Sequence, residues 1–366
     1  MPLPRRARRA VLLPLALLTL AVAGCGGGGG GGGGIGLFPP PGGGGGGGDT
    51  GRGALVGATE RVTRLTADQF KAVLQSSPQG QALLQVAGTP ACGVELRSMT
   101  YRTVGAAGEE TTATAALMLP AGSATPCAGG RPLVLYAHGT TAARGYDIAR
   151  WTDAAQPAAG EGLLVAATFA AQGLAVIAPN YAGYAASPLP YHPYLNGDQQ
   201  GKDMADALKA ARKALPLEGV SDAGSLLVTG YSQGGYVALA AHRELQAAGQ
   251  SPTASAPLSA PSAISLLIDY AFSGWPALGS TVFVPLITTS WQKQFGNVYN
   301  APTEIYENRY AGGIETLLPS TTPLADLFAQ GRLPQAALFP ANGTPGPVNP
   351  ALASFYGPDN LVRQSF

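Results

Sequence analysis

The sequence predicts an α/β fold with a mostly parallel, doubly wound sheet, and the prediction depends on the order of its apolar segments. Three short apolar runs are typical of buried strands, at residues 132–137, 174–178 and 225–229. Helical patterns alternate with these runs, at residues 161–172, 198–215 and 234–248. Buried strands that alternate with helices form parallel sheets covered by helices on both faces.

The segments on either side of this pattern differ from it. Residues 94–104 and 111–119 alternate in hydrophobicity around a turn, which predicts an antiparallel hairpin before the parallel strands. Before the hairpin, Thr66-Ala67-Asp68-Gln69 matches a capping box and predicts the start of a helix. Residues 262–366 lose the β-α rhythm and are rich in Pro, Leu and aromatic residues. We therefore predict a core domain over 54–261 and a helical cap over 262–366.

The N-terminal residues have the features of an export signal. Four arginines among the first nine residues precede an apolar run that is too short, at about 12 residues against the ~20 needed, to span a bilayer. We interpret residues 1–25 as a signal peptide. Its end, Val22-Ala23-Gly24-Cys25, resembles a bacterial lipobox in which Cys25 carries the lipid; an ordinary cleavage site beside a chance cysteine is the alternative.

The segment after Cys25 predicts a tether. Residues 26–53 are mostly glycine and predict a flexible linker. We expect an exported cell-envelope lipoprotein, in the outer membrane or facing the periplasm, that touches the membrane through its anchor only.

Composition narrows the range of functions. The 366-residue chain has a net charge of +1 and only 12% charged residues, so no basic surface for nucleic acid is expected. It has no metal-ligand cluster, phosphate loop or dinucleotide motif, and we expect no metal or cofactor. Beyond Cys25, Cys92 and Cys127 remain; in an exported protein this pair predicts one disulfide, with two free thiols as the alternative.

The main chemical signal is the G-x-S-x-G pattern Gly230-Tyr231-Ser232-Gln233-Gly234. It follows a buried strand directly and opens an alanine-rich helix. A serine on such a strand-to-helix turn is pushed out above the carboxyl edge of a sheet. Ser232 is therefore the candidate nucleophile.

A second loop is expected at the same edge of the sheet. His138-Gly139-Thr140-Thr141 follows the strand at 132–137. The backbone N–H groups of Thr140 and Gln233 are candidate donors for a developing oxyanion, and His138 is expected to order the loop. In the turn after the next strand, Asn180 and Tyr181 are expected to fix the loop geometry.

The H-G-T-T loop, the P-N-Y-A-G turn at 179–183, the H-P-Y-L segment at 192–195 and G-Y-S-Q-G-G at 230–235 together resemble the α/β-hydrolase superfamily. More narrowly, they are similar to its bacterial secreted lipase and esterase branch. The resemblance covers about residues 96–256, and it implies a serine hydrolase that acts through an acyl-enzyme on an ester or lipid-like small molecule. A non-catalytic scaffold used for binding and an acyltransferase are the alternatives.

The partners that such a serine needs are missing from the predicted positions. In this fold the order is serine, acid, histidine, but the chain has only His138, His192 and His242. His242 lies ten residues along the helix from Ser232, ~15 Å away. His192 precedes the serine but remains a possible substitute base.

The acidic residues after the serine are equally poor candidates for the catalytic acid. Asp269, Asp326 and Asp359 fall in the predicted cap, and none lies at the end of a predicted β-α unit. We expect that the polypeptide lacks the last strands of the fold, and with them its acid and base.

Overall fold

The structure, a computed structural model, describes residues 51–365 of the chain. The predicted signal peptide, its Cys25 and most of the predicted linker lie outside the described residues. What the sequence predicts for these residues stays a prediction.

Within residues 51–365, seven strands form one mixed sheet. In chain order they are β1 (Leu55–Leu65), β2 (Gly93–Val104), β3 (Glu110–Ala121), β4 (Gly130–Ala137), β5 (Ala175–Pro179), β6 (Ser221–Tyr231) and β7 (Ala254–Leu258). Their spatial order is β1-β2-β3-β5-β4-β6-β7. The pairs β1–β2, β2–β3 and β3–β5 are antiparallel, and the neighbours β5, β4, β6 and β7 run parallel to one another. The predicted α/β class and the predicted hairpin, β2 with β3, are confirmed.

The helices of the core lie between these strands, and all of them except α2 were predicted from the sequence. They are α1 (Ala67–Gln75), α2 (Pro78–Ala87), α3 (Ala159–Thr168), α4 (Gly197–Ala214) and α5 (Gln233–Ala247). The capping box at Thr66 is confirmed, because its side chain accepts from the Gln69 amide and the Gln69 side chain accepts from the Thr66 amide. Asn196 caps α4 by accepting from the Gln199 amide.

The region after β7 is helical, as predicted. It contains α6 (Ile264–Phe272), α7 (Ser280–Phe295), α8 (Asn308–Ala311) and α9 (Leu324–Ala329), with short 3-10 turns at Pro302–Glu304, Ile314–Thr316 and Pro350–Phe355. It has its own apolar cluster, which includes Leu286, Tyr306, Leu327 and Leu338. Tyr194 and Leu195 of the H-P-Y-L segment also belong to this cluster, so it packs against a loop of the core. The boundary at 261/262 stays a prediction.

Some elements were not predicted from the sequence. β1 carries several charged residues and β7 is short and half-exposed, so neither has the apolar run of a buried strand. Arg52 lies within the predicted linker over 26–53 and yet contacts the core. Arg52 pairs through Nε with the Asp206 carboxylate (3.0 Å) and through Nη2 with that of Glu244 (3.8 Å).

The predicted disulfide between Cys92 and Cys127 is present, with their Cα atoms 5.5 Å apart. It joins the residue before β2 to the connection between β3 and β4, and both cysteines are buried. Such a bridge restricts the unfolded chain across the hairpin.

No helix between residues 51 and 365 is long and apolar enough to cross a membrane. The same residues hold no group of three His, Cys, Asp or Glu side chains suited to a metal ion.

Candidate functional site

Ser232 lies on a strained turn between β6 and α5. Its φ of 56° and ψ of −121° fall in a region that non-glycine residues rarely occupy. Its amide donates to the Leu258 carbonyl (2.9 Å), and its own carbonyl accepts from the Gly235 amide (2.9 Å), so both sides of the turn are held. Its side chain is half-buried and makes no capping hydrogen bond to α5. This geometry is that of a nucleophile elbow.

The glycines of the motif permit the close approach that the turn requires. A Cβ on Gly234 would lie 2.0 Å from the Ala137 carbonyl oxygen, and one on Gly230 would lie 2.4 Å from the same atom. A Cβ on Gly235 would lie 2.5 Å from the Leu258 carbonyl oxygen. The glycine pattern therefore reflects contacts of β6 and α5 with the backbones of β4 and β7.

The H-G-T-T loop lies beside this elbow. β4 and β6 are parallel neighbours with Ala137 opposite Gly230, so the loop and the elbow leave the sheet at the same edge. A Cβ on Gly139 would lie 3.5 Å from the Tyr231 carbonyl oxygen. The sequence prediction that these two loops are adjacent agrees with this geometry.

Glu161 of α3 holds the loop in place. Its Oε1 accepts from the Gly139 amide (3.1 Å) and from the Tyr136 hydroxyl (2.7 Å), and its Oε2 accepts from the Tyr146 hydroxyl (2.8 Å). Burial and this carboxylate raise the pKa of both Tyr136 and Tyr146 well above the usual range of a tyrosine. Both hydroxyls therefore stay protonated and act as donors. Sequence reasoning missed Glu161, which contacts the loop only in the fold.

The two candidate oxyanion donors are free to act. In the described part of the chain, the backbone N–H groups of Thr140 and Gln233 have no hydrogen-bond acceptor. The Thr140 hydroxyl is fixed by a 2.8 Å hydrogen bond with the hydroxyl of Tyr194. Tyr194 in turn stacks on Phe283 of α7, with ring centroids 6.5 Å apart, so an aromatic residue of the helical region lies next to this loop.

Other aromatic residues of the helical region differ in their burial. Tyr299, Tyr306 and Tyr310 are buried in the apolar cluster of that region. Trp275 and Phe295 are more than half exposed. Phe283 is connected to the candidate site through Tyr194.

His192 does not reach the Ser232 hydroxyl by any hydrogen bond within residues 51–365. It is 1% exposed, and its Nδ1 lies 2.9 Å from the Ala182 carbonyl oxygen. Its Nε2 lies 2.7 Å from the side-chain Nε2 of Gln233. Burial lowers the pKa of His192 to about 3. Its lone pair is thus engaged and weakly basic, which argues against the substitute-base role considered from the sequence.

The turn that holds His192 is anchored by a buried carboxylate. Asp203 of α4 accepts from the Ala182 amide (2.7 Å) and from the Tyr101 hydroxyl (2.5 Å). Burial raises the pKa of Asp203 to about 6. Earlier in the turn, the Asn180 carboxamide bonds to Thr114 and to the amide of Ile148, which agrees with its predicted structural role.

The other two histidines are also occupied elsewhere. His138 is fully buried between the rings of Tyr146 and Tyr181, with centroids 4.3 and 4.0 Å away, and burial lowers its pKa. His242 on α5 bonds to the Ser255 hydroxyl (2.6 Å). Among the described residues, no histidine is therefore placed to take a proton from Ser232.

Gly234→Ala is expected to disrupt the elbow. Alanine normally favours a helix by about 1 kcal/mol over glycine, but here the new methyl group collides with the Ala137 carbonyl. We expect the free energy of unfolding, measured in urea, to fall by about 3 kcal/mol or more. Gly145→Ala is the matched control, since nothing lies within 4 Å of its Cβ position. Equal stability of the two variants would contradict this account of the motif.

Neutral, buried His192 is expected to make stability depend on pH. The folded pKa of about 3 lies below the ~6.5 of an unfolded histidine, so the unfolded chain binds more protons as the pH falls below 6.5. Stability is fully present above pH 6.5 and falls as the pH decreases, by about 2 kcal/mol from this group at pH 5.

Urea unfolding of wild type and His192→Gln at pH 7.5 and pH 5 isolates this contribution. Asp203, with its raised pKa, acts in the opposite direction between about pH 4 and 6, but it is present in both proteins. The wild type should lose about 2 kcal/mol more than the variant on acidification. Parallel losses would show that His192 titrates normally in the folded protein.

Comparisons with known proteins agree with this geometry. The family model described as secretory lipase matches residues 157–250, which include the elbow. Crystal structures of the rice cell wall degrading esterase LipA from Xanthomonas oryzae are similar to this chain; one has 30% identity and a TM-score of 0.65, covering 77% of this chain and 70% of LipA. No curated protein sequence matches significantly.

A more distant crystal structure shares the fold. It is a putative hydrolase from Legionella pneumophila, with 21% identity and a TM-score of 0.62, covering 77% of this chain and 71% of that protein. The elbow, the adjacent loop and the LipA match lead to one conclusion. The chain belongs to the lipase and esterase family of the α/β-hydrolase superfamily.

Proposed function

We propose that the protein is a serine carboxylic-ester hydrolase that acts through an acyl-enzyme on Ser232. The observation that carries the proposal is the strained backbone of Ser232 at the junction of β6 and α5. A serine backbone at φ 56° costs conformational free energy, and the close contacts of the glycines on either side hold it there. Such strain is typical of a nucleophile elbow. Membership of a lipase and esterase family supports the same chemistry.

In the proposed reaction, the Ser232 hydroxyl attacks the ester carbonyl and its proton passes to a base. The negative charge that develops on the carbonyl oxygen is stabilised by the N–H groups of Gln233 and Thr140. The tetrahedral intermediate expels the alcohol to leave an ester on Ser232, and water then hydrolyses that ester. Each such donor contributes about 10²–10³-fold to the rate in comparable enzymes.

The base is the unassigned part of this reaction. His192 is engaged with Ala182 and Gln233, His138 with Asn180, and His242 with Ser255. This observation favours a second candidate function, in which the same scaffold binds an ester or lipid-like molecule without hydrolysing it. The two candidates differ in whether Ser232 reacts covalently.

A fluorophosphonate probe tests the reactivity of Ser232. We expect mass spectrometry to locate the adduct on Ser232, and Ser232→Ala to abolish both labelling and hydrolysis of a short p-nitrophenyl ester. Added imidazole should accelerate labelling, because a diffusible base restores part of the ~10²–10⁴-fold contribution of a general base.

Ser251→Ala, at an exposed loop serine, is the matched control and should label like wild type. If Ser232 is not labelled with or without imidazole, the hydrolase proposal fails and the binding scaffold is favoured.

We also propose that the protein is exported and anchored through a lipid on Cys25. The basic start, the short apolar run and the Val22-Ala23-Gly24-Cys25 sequence support this. The secretory lipase match supports export alone. In a bacterial host fed a labelled fatty acid, the wild type should carry the label and sediment with membranes. Cys25→Ser should remove the label and release the protein; a wild type without label would refute the anchor.

A further inference from the structure

The side chain of Gln233 is held by His192. Gln233 directly follows Ser232, and its carboxamide is fully buried with Nε2 2.7 Å from Nε2 of His192. Gln200 of α4 approaches the same nitrogen with its own carboxamide at 3.4 Å. The two residues that meet at 2.7 Å are 41 positions apart in the sequence.

The surrounding contacts fix the protonation pattern of His192. The Ala182 carbonyl oxygen can only accept, so the Nδ1 that lies 2.9 Å from it must carry the hydrogen. A neutral imidazole then has its lone pair on Nε2, which accepts from the Gln233 amide N–H. The contact between Gln233 and His192 thus has one donor and one acceptor.

The imidazole itself cannot swing away from this position. Its ring is packed against Tyr181 and Tyr184, with centroids 5.6 and 4.5 Å away. The peptide that accepts its hydrogen bond is held from the other side, because the Ala182 amide donates to the carboxylate of Asp203. The chain of contacts runs from α4 through the turn and His192 to the first residue of α5.

We propose that His192 is a positioning residue that holds Gln233, and with it the backbone N–H directed at the oxyanion. The proposal rests on the hydrolase function proposed above. The first peptide of α5 follows a strained serine, and within residues 51–365 its N–H has no acceptor to orient it. The bond from the Gln233 side chain to His192 supplies that orientation. Misplacement of a catalytic group by about 1 Å costs as much as 10²-fold in rate.

Two substitutions of His192 test the hydrogen bonds of its two ring nitrogens one at a time. The amide of asparagine reaches the place of Nδ1, so His192→Asn keeps a donor for Ala182 but leaves Gln233 without an acceptor. The longer glutamine reaches the place of Nε2, so His192→Gln keeps an acceptor for Gln233. The readout is the rate of fluorophosphonate labelling of Ser232 as a function of probe concentration, in the full chain and with the imidazole concentration that gives the fastest wild-type reaction.

We expect His192→Asn to lower the limiting labelling rate about 10–100-fold with little change in the probe concentration at half-maximal rate. His192→Gln should stay within about threefold of wild type. Gln233→Met should lower the limiting labelling rate as much as His192→Asn does. The double variant should label no more slowly than either single variant, because both substitutions remove the same contact. Circular dichroism and the melting temperature show whether each variant is folded.

Several outcomes would overturn the proposal. If folded His192→Asn labels at the wild-type rate, or if the effects of His192→Asn and Gln233→Met multiply, His192 does not act through Gln233. If the wild type itself is not labelled, the hydrolase function fails and the positioning role fails with it. These results are distinguishable because only the last one involves the unmodified protein.

Nuclear magnetic resonance of the imidazole nitrogens tests the geometry without any variant of uncertain folding. The chain has three histidines, so single substitutions of His138 and His242 suffice to assign His192. We expect Nδ1 to be protonated and Nε2 to show the shift of a hydrogen-bonded acceptor, unchanged between pH 7.5 and 5. An Nε2-protonated ring, or one that titrates in this range, would overturn the proposal.

Discussion

The close approach of three backbones at the Ala137 carbonyl is the constraint from which the rest of the site follows. β4 and β6 meet there in parallel register, and α5 starts within the same space. Only glycine at 230 and 234 avoids a collision with that oxygen. With strand and helix so close, the residue between them must turn sharply, and Ser232 takes the strained conformation that exposes it at the sheet edge. The apolar core around β4 to β6 supplies the stability against which this strain is maintained.

A buried polar layer completes the same edge of the sheet. Burying a carboxylate and an imidazole is costly unless each is hydrogen bonded. Asp203 meets this condition by accepting from Ala182 and Tyr101, and His192 by bonding to Ala182 and Gln233. These hydrogen bonds join α4 to the turn and to the start of α5, which favours a single arrangement of the buried groups. Through these hydrogen bonds, α4 fixes the position of the loops around Ser232. Apolar contacts, which lack direction, would define the position of these loops less well.

What the sequence predicted, and what it did not, follows from the range of the interactions. The buried strands, the capping box and the elbow depend on neighbouring residues, and local patterns revealed them. β1 and β7 were not predicted because they lie at the edges of the sheet. Polar residues are tolerated there, so these strands lack the apolar pattern of a buried strand. Glu161 was missed because its contact with Gly139 spans 22 positions. The bond between His192 and Gln233 leaves no local signal at all.

One physical cause explains both what the buried histidines do and what they cannot do. A general base needs an accessible lone pair and a pKa near the working pH. Burial among tyrosine rings lowers the pKa of His138 and His192, and protein groups occupy the positions from which a proton would arrive. For His192, the contacts with Ala182 and Gln233 also fix the tautomer and orientation of the ring, which a positioning residue needs. The burial that suits His192 to the positioning role proposed above therefore also makes it a poor base for Ser232.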